Sequence, residues 1–544
     1  METFELILIL MVAVLASLPI ARINSNIPLP IIQIAIGAAL AWPLTGGIHM
    51  ELEPEVFLLI FIPPLLFSDA WQAPKREFWR MRGQIASMAF GLVFFTIAAF
   101  GLALNWLVPA VPLAVAFAAA AILSPTDAVA VSSIVDKDKL PPPMLHLLEG
   151  ESLFNDASGL VMFLFASAAA LTGAFSFWEA SQAFLFAVVA GAACGFFCLL
   201  VAVKTLKILS KIEDSVAECQ VLVLVLLPFL AYLLAEHVNA SGVLAAVIAG
   251  MLAGRAGLFR YLGVSARMLA VSTWQMIAFA LNGAIFVFLG LQLPAIMGAV
   301  PPELSAQHWL LEPIAVILAL TLCLLTLRFI FIFAGGLMGR VTGRAHYLFS
   351  TRMRVATSVA GVRGAVTLAA ALSLPLAMPD GSAFPARDLV IFLATGVILC
   401  WLVLAWLFLP GLTKNLGGDG HSAAATEMKS ARIAAAQAAI ARLEQESSGS
   451  AHTEGAITAR QAAAEGLIAS YLRRIAALEA GGSLPAEAKA ELTAQTQLRR
   501  AAMEAEDKTV RQMLLSGEIN DHTAQKLFQE LTLGQARLGP ARKA

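Results

Sequence analysis

Gly150-Glu151-Ser152-Leu153-Phe154-Asn155-Asp156-Ala157-Ser158-Gly159 lies inside an apolar run reaching from 145 to 172. A run of that length is a membrane-spanning candidate, because about 20 apolar residues cover the roughly 30 Å of hydrocarbon. Yet this run holds a glutamate, an asparagine and an aspartate close together. A carboxylate at membrane depth costs about 2.5–3.5 kcal/mol on insertion scales. That cost is sustained only where the group faces water, an ion or a partner, so the segment implies an ion or proton pathway. On a helix Ser152 and Asp156 share one face at i,i+4, and Glu151 and Asn155 share a second, rotated by about 100°. Asp156 and Ser152 together offer hard oxygen ligands to a small cation.

Composition supports the membrane reading. The 544-residue chain is 59% hydrophobic and 13% charged, whereas soluble domains carry about 25% charged residues. It is an all-α polytopic membrane protein whose main surroundings are the lipid bilayer. The formal net charge of -1 gives no footing for nucleic acid. Cys194, Cys198, Cys219, Cys323 and Cys400 all sit in apolar runs and read as small buried hydrophobes. Without a CxxC pair or a His/Cys cluster at metal spacing, no cofactor is expected.

Thirteen spans emerge from the apolar runs, at 4–21, 27–44, 55–72, 84–108, 111–135, 145–172, 181–203, 217–236, 240–255, 273–297, 311–337, 354–377 and 388–412. The first is read as a helix, not a cleaved signal, because Met1-Glu2-Thr3 lacks a basic stretch. The segment 256–270 reads as interfacial. Lysines and arginines follow the odd-numbered spans: Arg22, then Lys75 to Arg82, Lys137 and Lys139, Lys204 to Lys211, Arg255 to Arg267, and Arg340 to Arg354. The opposite connections hold only Arg387. The positive-inside rule then puts the N-terminus outside and the C-terminus in the cytoplasm. From Lys414 the composition turns to Ala, Glu, Arg and Gln, so residues 1–413 form a transmembrane domain and 414–544 a helical cytoplasmic region. Segments 427–446, 457–480 and 484–515 carry the helical periodicity. Regulatory module and passive tail both fit that region.

Other polar groups interrupt the spans. In Leu123-Ser124-Pro125-Thr126-Asp127-Ala128-Val129, Pro125 removes a backbone donor and frees a carbonyl one turn earlier. Broken helices at membrane depth line cavities, and their free carbonyls coordinate cations. Asp127 is either a cation ligand there or a neutraliser of helix-end partial charge; Thr126 adds a hydroxyl. In Gly361-Val362-Arg363-Gly364-Ala365-Val366-Thr367, flanking glycines allow local unwinding around an arginine that stays charged. Arg363 needs a counter-ion, and Glu151 is the candidate, which leaves Asp156 free to titrate. Arg328, within Leu324-Leu325-Thr326-Leu327-Arg328-Phe329, either neutralises a buried acid or snorkels. Asp69, after Phe61-Ile62-Pro63-Pro64-Leu65-Leu66-Phe67, is an interfacial acid or the acid of an ion funnel.

Together these strings resemble the monovalent cation/proton antiporter family, specifically the bacterial and animal sodium/proton exchangers. Ser241-Gly242-Val243-Leu244-Ala245 matches as well, and the resemblance covers about 1–413. It implies two inverted six-helix repeats whose discontinuous helices, spans 5 and 12, cross near the midplane. It implies that Asp156, beside Asn155, binds cation or proton in turn. Thr126, Asp127, Ser152 and Asp69 would complete the cation site, and Glu151 and Arg363 would form a structural ion pair. A homodimer in the cell (inner) membrane, exchanging sodium or lithium for protons, is the corresponding expectation. Electrogenic relatives resemble this pattern but carry Asp-Asp at the pair and a lysine opposite. Asn155-Asp156 with Arg363 leaves one free carboxylate, which fits one proton per monovalent cation. A potassium/proton exchanger of the same fold is the alternative within transport; a cation channel, or an ion sensor signalling through its tail, is the alternative from another class.

Overall fold

The computed structural model describes residues 2–24, 27–42, 54–136, 139–173, 177–211, 217–255, 258, 261–298, 311–341, 350–414, 416, 418–447, 454–479, 498, 501–502, 505–513, 516, 523 and 527. In chain order the helices begin with α1 (Glu2–Ile23), α2 (Leu29–Ala41), α3 (Pro54–Gln72), α4 (Lys75–Arg80) and α5 (Arg82–Ala86). α5 runs through a π-helical turn (Ser87–Leu92) into α6 (Val93–Leu107). α7 (Leu113–Leu123), α8 (Ala128–Ile134), α9 (Pro142–Thr172), α10 (Phe177–Leu209), α11 (Ala217–His237) and α12 (Gly242–Arg255) follow. The series continues with α13 (Val264–Gly298), α14 (Leu311–Val341), α15 (Thr351–Val359), α16 (Ala365–Leu372) and α17 (Arg387–Thr413). α18 (Gly418–Ser447) and α19 (Glu454–Glu479) complete it. Among the described residues, eight helices are long and apolar enough to cross a membrane. The α7–α8 pair, bent by 51°, adds a ninth if it is one span.

Apart from α9, with its polar groups at Glu149 to Asp156, these helices are apolar nearly all round, the pattern of segments buried in protein on one side and lipid on the other. Where two lack large side chains they approach closely, as small residues allow in membranes. α2 and α13 meet this way: a Cβ on Gly37 would strike the Val287 carbonyl, and one on Gly290 the Ile34 carbonyl. One core spans most of residues 1–421; a second gathers α3, α10, α11, α12 and α13 around Phe67, Leu224 and Trp274.

Three expectations need correction. Residues 264–270 are not a separate interfacial piece but the first turns of α13; residues 256–257 and 259–260 lie outside the described residues. Span 12 stops at Leu372, not 377, because Pro375 cannot continue the helix and Arg387 donates to the Leu372 and Leu374 carbonyls, both at 3.1 Å. None of the cysteines is fully buried, and Cys219 is exposed.

The chain divides into two units, Met1–His421 and Ser422–Ala544. In the second, Lys429 donates to the Glu479 carbonyl at 2.9 Å, setting a cation at the C-terminus of α19. Of 484–515, residues 498, 501–502 and 505–513 are described, all helical; the remainder of that expected helix lies outside the described residues.

Candidate functional site

Two interrupted helices meet at their breaks within the first unit. α7 ends at Leu123 and α8 starts at Ala128; α15 ends at Val359 and α16 starts at Ala365. The four-residue break at Pro125 meets the break at Gly361–Gly364, where the Asp127 amide donates to the Val362 carbonyl at 2.7 Å. Each break leaves helix ends with unpaired backbone groups and partial charge. Asp127 caps one of them: its Oδ1 accepts from the Val129 and Ala130 amides at 2.8 and 3.0 Å. Of its two readings, the helix-end role is therefore visible in the geometry.

The carbonyl ends are met by arginines. Arg363 donates through Nε to the Leu123 carbonyl at 2.9 Å, and through Nη1 to the Gly361 carbonyl. Its guanidinium lies 3.9 Å from the centre of the Trp401 ring, a cation–π contact that strengthens with desolvation. Arg328 donates through Nε to the Thr357 carbonyl at 3.2 Å. It also forms a fork on Glu151: Nη2 reaches Oε2 at 2.8 Å, and Nη1 pairs with Oε1. The expected Glu151–Arg363 pair is thus replaced by Glu151–Arg328, both nearly fully buried (1% and 2% exposed). The physical reason is placement: Arg328 projects from α14 onto Glu151, while the unwound backbone turns Arg363 toward carbonyls and an indole face. Of the two sequence readings of Arg328, neutralising a buried acid is the one observed. Thr126 extends this pair into a chain, donating to Glu151 Oε1 at 3.1 Å and accepting from Asn155 Nδ2 at 2.9 Å.

A second face of α9, turned about 100° from the first, borders a cavity of about 210 Å³. Asp156 and Ser152 line it, as do Asp127, Thr126 and Asp69. Ser152 Oγ accepts from the Ala128 amide at 3.3 Å. The Asp156 carboxylate, in a residue 7% exposed, has no hydrogen-bond partner among the described residues. The i,i+4 reading of α9 therefore separates a paired, structural face (Glu151, Asn155) from a cavity face (Ser152, Asp156).

Asn282 of α13 and Thr367 of α16 also line the cavity, with Glu149 of α9 and Gln72 of α3. Sequence reasoning gave none of them a role. The available signal was an amide in the apolar run Ala280-Leu281-Asn282-Gly283 and a hydroxyl closing the Arg363 string. Gly364 is set by close approach: a Cβ there would strike Asp127 Oδ2. Gly364→Ala should cost about 1–3 kcal/mol of stability through overpacking. A thermal melt of the purified variant in detergent checks this, and an unchanged midpoint would reject the close approach.

Residues 7–412 match the family described as sodium/hydrogen exchanger, transmembrane. An uncharacterized Na(+)/H(+) exchanger, YjcE of Escherichia coli (strain K12), is 39% identical, over 99% of this chain and 99% of its own. A sodium, potassium, lithium and rubidium/H(+) antiporter of Bacillus subtilis (strain 168) is 40% identical over 76% of this chain and 62% of its own length. The solved sodium proton antiporter MjNhaP1 of Methanocaldococcus jannaschii at pH 8 shares the fold, with a TM-score of 0.58 at 19% identity, over 77% of this chain and 100% of its own.

Proposed function

Since this chain belongs to the sodium/hydrogen exchanger family of monovalent cation/proton antiporters, we propose that it exchanges sodium or lithium for protons, one for one, at Asp156. The observation that carries this reading is the Asp156 carboxylate itself, open to the cavity beside the helix crossing and without a protein partner among the described residues. Proton and cation compete for its oxygens. Ser152, Thr126 and Asn282 supply neutral oxygens nearby, and Asp69 sits on the same cavity wall. The empty anion is held in place by the cost of carrying an unpaired charge through a low-dielectric barrier. Either occupant removes that cost, so passage to the other side requires an occupant.

Charge counting supports electroneutral exchange. Glu151 cancels Arg328, and the charges of Asp127 and Arg363 also sum to zero while each meets a helix end. Asp156 is then the acid that changes occupant, and with Asp69 and Glu149 on the same cavity wall keeping their charge, one proton or one alkali cation brings the site to the same value. In proteoliposomes clamped at a fixed potential, voltage alone should drive no flux; voltage-driven sodium uptake would overturn the stoichiometry. Competition makes a second prediction. On the acid side, the apparent half-saturating sodium concentration rises toward about tenfold per pH unit, by mass action, at unchanged maximal rate. A pH-independent half-saturation measured by dye dequenching would refute a shared site.

Potassium is the second reading. Carboxylate, hydroxyl and amide oxygens bind either ion, and the Bacillus relative is named for sodium, potassium, lithium and rubidium alike. Dequenching with each chloride salt separates the two. The basic residues after odd-numbered spans support an orientation with that face, and residues 414–544, in the cytoplasm of a cell-membrane protein.

A further inference from the structure

Behind α9, on the side away from Asp156, lies a larger cleft of about 490 Å³, within the roughly 300–1,000 Å³ typical of ligand pockets. Its walls come from α5 and the π-helical turn on one side and from α10 and α12 on the other, with α9 between. Phe90, Phe154, Val188, Leu244 and Ile248 make it apolar. The two serines on its lining are already satisfied: Ser158 Oγ donates to the Ala89 carbonyl at 2.8 Å, and Ser241 Oγ accepts from the Leu244 amide at 3.2 Å.

One end differs in chemistry. Lys75 and Arg82 line the cleft there, together with Trp79. Lys75 is half-buried and donates to the Trp71 carbonyl; burial lowers its ammonium from the usual lysine range, with no acid offsetting it. Arg82 lies 4.8 Å from the Trp79 ring centre and donates to the Trp79 carbonyl at 3.3 Å. Neither cation has a carboxylate partner among the described residues. Trp79 itself is 65% exposed, the position of an indole at a membrane interface. α10, which walls the cleft, turns Leu185, Phe186 and Val189 outward as exposed apolar surface, the kind of face that lipid covers.

An apolar slot at membrane depth that ends in two uncompensated cations at the interface has one complementary occupant in a bilayer. We propose that this cleft binds an anionic phospholipid, one acyl chain lying between α9, α10 and α12 and the phosphate held by Lys75 and Arg82. A zwitterionic lipid fits the slot but supplies no net negative charge to the cations. Phe154, Ala157 and Ser158 of the cleft wall flank Asn155 and Asp156 in sequence, so the occupant touches the helix that carries the transport carboxylate.

The test uses the full-length protein in vesicles containing phosphatidylglycerol with a photoactivatable group in its acyl chain. Light should attach it saturably to peptides covering 184–192 and 244–252, as read by mass spectrometry. The matching phosphatidylcholine probe should label these peptides weakly. Lys75→Gln with Arg82→Gln should weaken phosphatidylglycerol labelling about 30-fold, or about 2 kcal/mol at 1.4 kcal/mol per tenfold, since each cation near a membrane surface contributes about 1 kcal/mol. Ala192→Trp, which fills the slot and leaves both charges in place, should abolish labelling of the same peptides. Equal labelling by both lipids, or labelling that survives either variant, overturns the proposal. So does a crosslink from Ala192→Cys to a second copy of this chain, which would make the cleft a subunit interface.

Discussion

Asp156→Asn is expected to reduce sodium-driven proton flux in proteoliposomes to the leak rate of protein-free vesicles. The amide has the size of the carboxyl group, and the native carboxylate has no hydrogen-bond partner among the described residues. No structural contact is therefore lost, and the variant should insert and elute as a single species. What disappears is the charge. A neutral amide neither takes a proton at physiological pH nor repays an alkali cation for its lost water. It resembles a permanently protonated site, with nothing to exchange. Wild-type flux in this variant would remove Asp156 from the mechanism. Asp156→Glu is the companion measurement: it keeps the charge but moves the oxygens by one methylene, so it should retain exchange with altered sodium affinity.

Arg328→Met is expected to be the most destabilising single change in the membrane unit. It leaves Glu151 charged, buried and without its fork partner. Removing one member of a buried pair costs about 3–5 kcal/mol, far more than replacing both. The double variant Glu151→Gln with Arg328→Met should therefore melt above Arg328→Met alone in detergent. Glu151→Gln with Arg363→Met should show no such recovery, because Arg363 spends its donors on the Leu123 and Gly361 carbonyls and its face on Trp401. Its loss exposes a different defect, two uncapped helix ends at membrane depth. A larger coupling in the Glu151–Arg363 cycle than in the Glu151–Arg328 cycle, read from thermal melts, would reverse this assignment.

Much of the site was legible residue by residue. Pro125 marks a break because it lacks an amide hydrogen, and Gly361 and Gly364 around Arg363 mark a second; helices stop at both places. Asp156 stands out because a lone acid is costly in hydrocarbon, and the 3.6-residue period places Ser152 on its face. The choice of partner for Glu151 was not legible. Two arginines, Arg328 and Arg363, both lie within apolar spans, and nothing in local spacing ranks partners some 180 to 210 positions away. Asn282 and Thr367 were missed for a related reason. A single polar group in an apolar helix is as readily interhelical glue as cavity lining. The start of α13 at Val264 was misjudged because Arg267 and Ser265 lower local hydropathy without interrupting the helix.

The chain alone determined its solvent, its helical character and the places where helices break, and it singled out Asp156 as the acid to test, because each follows from the cost of moving a group into lipid. Packing decided which cation meets which acid, which face of α9 is structural, and where Asp69, Asn282 and Thr367 converge. Those outcomes depend on distances between helices remote in sequence, and electrostatic and hydrogen-bond energies fall off too steeply with separation for a linear order of residues to specify them.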